Sequence, residues 1–483
     1  MDNTRRISSN FLWRFLERFG AQGVSFIVSI VLARHLGPDI YGMVAIVAVF
    51  TSIVSVFVNC GLNDALVQKK DADHLDFSTV FYFNIFMCLL LYAALFFAAP
   101  LIAGLYHNNE LIWPIRGLSL VLIIGGVKNV QMAYVAKNMI FKRFFLATLT
   151  GTIVAAVVGI WMAVRGYGVW ALIVQNLVNT FIDTLILWIT VRWRPRKEFS
   201  FSRLKGLFSY GWKLLASNLV DTVYNRLYHL VIGLRYSEAD LAFYSKGDTF
   251  PSLLVTNINE ATNSVLLPVM SEVQDKKAEV RRTTRRVIQV SSFLIMPMMA
   301  GLAACATPLI RLLLGSQWMP TVPFLQIFCI VYAFFCVHTS NLNAIKALGR
   351  SDIFLYLEIL KKAVGLITLL ITVRISVLAM ALGSIFNCLA AQIINAWPNR
   401  RLLDYSYRDQ LKDMLPHILL SLGMGVLVFA VQLLGLPDIA TLLIQIPLGI
   451  ALYFAGARLI RLEALSLAKR IINDYRKKKK EEL

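Results

Sequence analysis

The stretch TVFYFNIFMCLLLYAALFFAA, residues 79–99, decides the fold class because it contains no Asp, Glu, Lys or Arg. A hydrocarbon core about 30 Å thick needs about 20 apolar residues in one helix. A backbone in lipid must also satisfy its own hydrogen bonds, and a helix does so. Similar runs recur along the chain, of which 58% is hydrophobic and 16% charged. This composition predicts a polytopic membrane protein with no separate soluble domain.

The apolar runs predict an all-α fold with about fourteen transmembrane helices. The predicted spans cover roughly residues 11–33, 41–59, 79–99, 111–136, 145–164, 169–191, 207–234, 241–269, 288–312, 322–344, 353–373, 377–397, 415–434 and 439–459. We expect the prolines Pro297 and Pro308 to kink the ninth span, since proline removes a helical hydrogen bond.

The distribution of Lys and Arg residues predicts the orientation of the chain in the membrane. The net charge is +20, and most of the 48 Lys and Arg residues lie in alternate connecting segments, such as residues 192–205 and 271–286. The positive-inside rule assigns these segments to the cytoplasm, together with both termini. The first apolar stretch contains arginines and lacks a small-residue cleavage site, so we expect it to remain as the first helix.

A weak internal repeat suggests the domain organisation. At an offset near 200 residues, Arg34 and Asp39 correspond to Arg235 and Asp240. The identities are few, and coincidence stays open. A real repeat gives two six-helix lobes and places the substrate path between them. The predicted regions are a lobe over 1–200, a lobe over 201–400, an extra helix pair over 401–460 and a basic cytoplasmic tail over 461–483.

Three cations within apolar spans predict a positively charged cavity. Arg14 and Arg18 share one face of the first helix, and Lys128 lies in the inner half of the fourth. Ionisable groups in a membrane usually face a bundle interior or a water-filled space. A cationic cavity would attract a diphosphate headgroup. Snorkelling of Arg14 to the interface is the alternative.

Polar faces on later helices predict residues for ion coupling or for a cavity wall. A carboxyl near mid-membrane can couple to protons or cations, because its charge changes when it binds them. Hydrogen-bond contacts between helices, or ion pairs of Asp221 or Glu260 with Arg226 or Lys246, are the alternatives. The candidate residues are Asp183, Asp221, Asn225, Lys246, Asn257 and Glu260.

Several functions are disfavoured by missing signals. The sequence has no GxxxxGK[ST] phosphate loop, and its outer loops look too short for a catalytic domain, so we do not expect an enzyme. The six cysteines lack the spacing of a metal site, and we expect no metal or cofactor. The lone histidines His338 and His417 are interpreted as packing residues. The basic residues separate apolar runs and form no nucleic-acid-binding module.

Two stretches carry a resemblance to a family. ARHLGPDIYG at residues 33–42 and GLNDALVQKKD at residues 61–71 resemble the polysaccharide flippases of the Wzx type, which belong to the multidrug/oligosaccharidyl-lipid/polysaccharide exporter superfamily. Residues 210–273 are similar to the matching segment of lipopolysaccharide and colanic-acid type members.

The resemblance implies a two-lobed transporter of the bacterial inner membrane. It would flip undecaprenyl-diphosphate-linked oligosaccharide by alternating access, without a cofactor, and Arg14 and Arg18 would face its cavity. The implied partners are the lipid-linked oligosaccharide, the bilayer, and a polymerase and other proteins of glycan assembly. A multidrug or cation antiporter of the same superfamily is the main alternative, and a non-transporting scaffold is a third.

Overall fold

The computed structural model of the chain describes residues 20–59 and 61–465, and the regular structure in that part is helical. Helix α1 covers the described residues 20–35. The next helices are α2 (Pro38–Asn59), α3 (Leu62–Gln68), α4 (His74–Leu105), α5 (Ile112–Lys137), α6 (Phe141–Val164), α7 (Val169–Thr190), α8 (Phe201–Arg235) and α9 (Glu238–Glu272). The last helices are α10 (Lys277–Ala304), α11 (Ala306–Leu313), α12 (Thr321–Ala333), α13 (Phe335–Ala347), α14 (Ser351–Thr372), α15 (Val377–Leu402), α16 (Tyr407–Ala430) and α17 (Asp438–Leu459).

Within the described ranges, 10 helical segments are long and apolar enough to cross a membrane. The prediction of an all-helical, multi-pass membrane protein is therefore confirmed in this form. The count of fourteen spans stays a prediction.

The chain divides into two compact units, Met1–Ala242 (unit 1) and Phe243–Leu483 (unit 2). In unit 1, α6 packs along α7, α4 packs along α5, and α5 also contacts α7. In unit 2, α10 packs along α16 and α14 along α15. The predicted lobe boundaries stay a prediction.

A capping network fixes the start of α4 in unit 1. The Asp73 carboxylate accepts from the backbone N–H of Asp76 (2.9 Å), and the Asp76 carboxylate accepts from the backbone N–H of Asp73 (3.1 Å). Asp76 is buried and pairs with Lys69 at 2.5 Å. The N–H of Asp76, together with the Arg203 guanidinium, holds the pKa of the Asp73 carboxyl below its usual value. These contacts fix α3 and the start of α8 against α4.

Gly42 allows two turns of unit 1 to touch. A Cβ at Gly42 would lie 1.9 Å from the backbone oxygen of Glu238, so only glycine fits against that backbone. The segments in contact, around Asp39 and around Asp240, are the two that the weak repeat aligns.

Two predicted spans of unit 2 are interrupted. The span predicted over 288–312 is broken at Cys305, because Pro308 has no N–H to donate to the Ala304 carbonyl. The Gln432 side chain donates to that carbonyl instead. The span predicted over 322–344 is interrupted for one residue at Phe334, whose carbonyl accepts from the His338 N–H at 3.2 Å and from Gln392 Nε2 at 2.9 Å. Thr321–Ala347 is still one candidate membrane span, and the break at Cys305 lies next to Pro308, where a kink was predicted.

Candidate functional site

Lys128 and Asp183 meet inside unit 1. Lys128 of α5 donates from Nζ to Asp183 Oδ2 of α7. The side chains keep 17% and 8% of their exposure, so the pair is largely withdrawn from solvent. The predicted roles of the two residues differ: a cationic cavity for Lys128, and ion coupling or a cavity wall for Asp183. The structure brings them together in one salt bridge.

Glycines next to the pair bring neighbouring helices close. A Cβ at Gly126 would lie 2.3 Å from Cys88 Sγ of α4. A Cβ at Gly151 of α6 would lie 3.0 Å from the Asn179 oxygen and 3.2 Å from the Asp183 nitrogen. The contact at Gly126 leaves no room for a larger residue unless Cys88 moves, and the contact at Gly151 is tight. No role was predicted for these glycines, although each interrupts an apolar run within a predicted span.

The pair has unused hydrogen-bonding capacity. Asp183 Oδ1 is buried and has no hydrogen-bond partner in the part of the chain that the structure describes. Thr148 Oγ1 of α6 is also buried without one. A buried carboxylate oxygen is costly to leave unsatisfied, so this site can hold a proton, a water or a cation beside Lys128. If Asp183 gained a proton, Lys128 would lose its counter-ion.

The two candidate residues of α8 share an exposed face with a third polar residue, Asn218. Asn218, Asp221 and Asn225 are spaced three and four residues apart, and each is exposed. Asn218 lines a cavity of about 360 Å³ in unit 1 together with Asn63 and Asp64. Exposed polar groups along one face of a helix can form a water-accessible wall.

The candidates on α9 lie far apart along one helix. Lys246 Nζ lies 6.0 Å from the centre of the Trp318 ring. Asn257 Nδ2 donates to the Leu253 carbonyl at 2.8 Å, and Glu260 is exposed. A helix rises about 1.5 Å per residue, so Lys246 and Glu260 are separated by about 21 Å along α9. A salt bridge between these two residues, one of the alternatives in the sequence analysis, is out of reach.

Arg14 and Arg18 lie outside the described residues, so their role stays a prediction. The structure therefore unites one pair of the candidates, Lys128 with Asp183. It places the α8 candidates on a single face and spreads the α9 candidates along their helix. Substrate binding and ion coupling by these residues also stay predictions.

Comparison with known proteins gives consistent matches. The family described as polysaccharide biosynthesis protein matches residues 31–323. The succinoglycan biosynthesis transport protein ExoT of Rhizobium meliloti (strain 1021) is 24% identical over 359 residues, which are 74% of this chain and 73% of that protein. The lipopolysaccharide biosynthesis protein WzxC of Escherichia coli (strain K12) is 22% identical over 429 residues, 84% of each chain.

Solved structures match the fold. The lipid II flippase MurJ, in an inward closed conformation, superposes with a TM-score of 0.76 at 15% identity, covering 93% of this chain and 98% of its own. An inward-facing multidrug resistance transporter of the MATE family and MOP superfamily gives a TM-score of 0.62 at 16% identity, covering 79% and 94%. At these identities the likeness concerns the fold alone. The family resemblance drawn from residues 33–42 and 61–71 is confirmed.

Proposed function

Because the chain belongs to the polysaccharide biosynthesis protein family, we propose that it flips an undecaprenyl-diphosphate-linked oligosaccharide across the bacterial inner membrane. The glycan would be a repeat unit of O-antigen, capsule or exopolysaccharide. The relatives named above, which include a succinoglycan transport protein and a lipopolysaccharide biosynthesis protein, support this class of substrate.

One observation carries the proposal: a lysine sits within an apolar helix of unit 1, held by a single carboxylate. A charge so placed is expensive and marks a transport path more often than a structural need. The oxygens of a diphosphate could replace the Asp183 carboxylate against Lys128 Nζ, since both are anionic acceptors. Arg14 and Arg18 would add attraction for the same headgroup.

The same pair suggests a way to couple transport to a proton gradient. Protonation of Asp183 would release Lys128 for the headgroup, and loss of that proton would return Lys128 to Asp183 and expel the headgroup. Alternating access requires such a difference in affinity between states. In this scheme the ion gradient or the membrane potential drives transport.

The orientation follows from the positive-inside rule. Both termini would be cytoplasmic, and residues 165–168 would face the opposite side. Released substrate would then meet the polymerase and other proteins of glycan assembly on the outer face.

Deleting the gene in its native host tests the proposal. Lipid-linked repeat units should accumulate on the cytoplasmic side and surface glycan should fall, and the wild-type chain should reverse both changes. Normal surface glycan in the deletion strain, with no other gene of this class present, would contradict the proposal.

A cation antiporter is the second candidate, because Asp221 and Glu260 are exposed carboxylates on the long helices α8 and α9. Such groups attract cationic compounds. Efflux of a cationic dye that depends on Asp221, and that is lost in Asp221→Asn, would favour this candidate. The flippase proposal predicts no such efflux.

A further inference from the structure

The cavity of about 360 Å³ in unit 1 lies between α3, α5, α6 and α8. Its polar side chains, Asn63, Asp64 and Asn218, come from α3 and α8. The side chains that α5 and α6 contribute are apolar, among them Met132 and Phe144. We call this space the Asn63 cavity. No role was predicted for Asn63 or Asp64, although both belong to the stretch that resembles the flippase family.

The weak internal repeat identifies the corresponding place in unit 2. At the offset of that repeat, Asn63 corresponds to Asn263. Helices α5 and α13 also correspond, because each ends three residues before the next helix begins. Four residues before these two ends stand Ala133 in unit 1 and Asn343 in unit 2. Ala133 lines the Asn63 cavity, so the two correspondences meet at one place.

A side chain fills this place in unit 2 and leaves it open in unit 1. Asn343 Nδ2 donates to Asn263 Oδ1 at 2.6 Å, so the two amides in unit 2 satisfy each other. In unit 1 the smaller Ala133 offers no donor. Asn63 Oδ1 is buried and has no hydrogen-bond partner among the residues that the structure describes. A polar atom left in this way beside a cavity indicates a place for a ligand.

The Asn63 cavity lies along the same helix faces as the Lys128–Asp183 pair. On α5, Met132 follows Lys128 by four residues, which puts both on one face about 6 Å apart along the axis. On α6, Phe144 precedes Thr148 by four residues, and the face of Thr148 continues to the close contact with Asp183. The cavity is therefore near enough to receive the group attached to a diphosphate held at Lys128.

The lining of the Asn63 cavity fits a sugar ring. A pyranose has hydroxyl groups around its edge and apolar C–H groups on its faces. Side-chain amides such as Asn63 and Asn218 both donate and accept hydrogen bonds, and the Asp64 carboxylate accepts from hydroxyls. The apolar side chains of α5 and α6 suit the C–H groups, as in other small-molecule sites. A phosphate or an acidic sugar is disfavoured, because Asp64 has the same sign of charge.

We propose that the Asn63 cavity binds a neutral sugar of the translocated glycan, the one next to the diphosphate. Asn63 and Asn218 exchange hydrogen bonds with its hydroxyls, and Asp64 excludes a sugar that carries a carboxylate. The inference rests on the proposed function and on the proposed contact of the diphosphate with Lys128. It adds recognition of the first sugar by unit 1, at a place that Asn343 closes in unit 2.

The test compares three lipids as ligands of the purified full-length chain in detergent, by calorimetry. The probes are undecaprenyl diphosphate alone, the same lipid with one neutral sugar (glucose, galactose or N-acetylglucosamine), and the same lipid with one glucuronate. At least one neutral sugar should raise the affinity about tenfold, since it gains several hydrogen bonds. Glucuronate should raise it with Asp64→Asn and not with the wild-type chain. Equal affinity for the bare lipid and for all three neutral sugars would overturn the proposal.

A variant that copies unit 2 separates sugar binding from headgroup binding. Ala133→Asn should fill the cavity and pair with Asn63, so the gain from the sugar should disappear while the bare lipid binds as before. Ala216→Asn, at an exposed alanine of α8, is the matched control and should keep the gain. A gain unchanged by Ala133→Asn would contradict the proposal.

Asn218→Ala covers the case in which Ala133→Asn fails to fold, because Asn218 is exposed and its loss leaves the packing intact. It should reduce the gain from the sugar several-fold, and an unchanged gain would count against the site. The two proposals fail differently. Absence of binding by every undecaprenyl diphosphate lipid would contradict the proposed function. Binding of the bare lipid with no gain from any neutral sugar would overturn only the sugar site.

Discussion

Lys128 of α5 and Asp183 of α7 form a salt bridge in unit 1, although 55 residues separate them in the sequence. Their contact depends on the packing of α5 against α7, where a Cβ at Gly117 of α5 would lie 3.0 Å from the Trp170 ring of α7. Since both side chains are mostly buried, each is the other's main source of charge compensation. The coupling energy between the two residues can therefore be measured with a double-mutant cycle.

Removing one member of this pair should destabilise the protein. Lys128→Met leaves a buried carboxylate without its partner, and Asp183→Asn leaves a buried ammonium without its partner. Each single change should cost about 3–5 kcal/mol and reduce abundance in the membrane. Combining Lys128→Met with Asp183→Asn should restore most of the thermal stability, measured on purified protein in detergent. Additive losses in the double variant would show that the two residues are not coupled.

Replacing Gly126 with alanine, which adds a single methyl group, should destabilise the protein. Gly126→Ala places a Cβ 2.3 Å from Cys88 Sγ, so α4 and α5 must separate or strain. Overpacking of this kind costs about 1–3 kcal/mol. Thermal unfolding in detergent measures the loss.

The neighbouring glycine provides a matched control for this test. A Cβ at Gly125 meets nothing within 4 Å, so Gly125→Ala should be neutral or slightly stabilising. Cys88→Ala should rescue Gly126→Ala by removing the clashing sulfur. Equal stability of the two alanine variants would contradict the packing described for α4 and α5.

Gln392 should stabilise the junction between α12 and α13. Gln392→Leu removes the side-chain donor to the Phe334 carbonyl, which then keeps only the N–H of His338 at 3.2 Å. The loss of one hydrogen bond costs about 0.5–1.5 kcal/mol, and the melting temperature should fall accordingly. Ile393→Leu, at the exposed next position, serves as the control. A melting temperature unchanged by Gln392→Leu would show that the bond from Gln392 does not stabilise this junction.

The proposed orientation can be tested with a membrane-impermeant maleimide. Arg165→Cys, in the predicted outer loop, should be labelled in intact spheroplasts. Lys197→Cys, in the basic segment after α7, should be labelled only after permeabilisation. Both positions are exposed, so access depends on the side of the membrane. Labelling in the reverse order would place the termini outside.

The helices were predictable from the sequence because length and hydropathy limit what can cross a bilayer. The span predicted over 169–191 corresponds to α7, Val169–Thr190, and the span over 377–397 to α15, Val377–Leu402. The helix breaks were harder to predict from the sequence. Pro308 gave a signal for the break at Cys305, whereas no proline or glycine lies close to the interruption at Phe334.

The sequence indicated which residues belong to the candidate site, but it did not indicate which of them contact each other. Charged and amide side chains in apolar runs identified Lys128, Asp183 and the face of α8. Partners could not be assigned, since pairing depends on which helices pack together. Asn63 and Asp64 entered only through the family resemblance. The cavity that they line could not be predicted, because it depends on how α3, α5, α6 and α8 pack together.

Translocation in proteoliposomes tests the central claim most directly. Purified protein is reconstituted with undecaprenyl-diphosphate-linked oligosaccharide, and an external glycosidase reports the fraction that reaches the outer leaflet. The wild-type chain should move this substrate and should not move the same oligosaccharide on undecaprenol, which lacks the diphosphate. The variant with Lys128→Met and Asp183→Asn should be stable and inactive. Transport of the diphosphate-linked substrate by that variant at the wild-type rate would contradict the claim that Lys128 holds the headgroup.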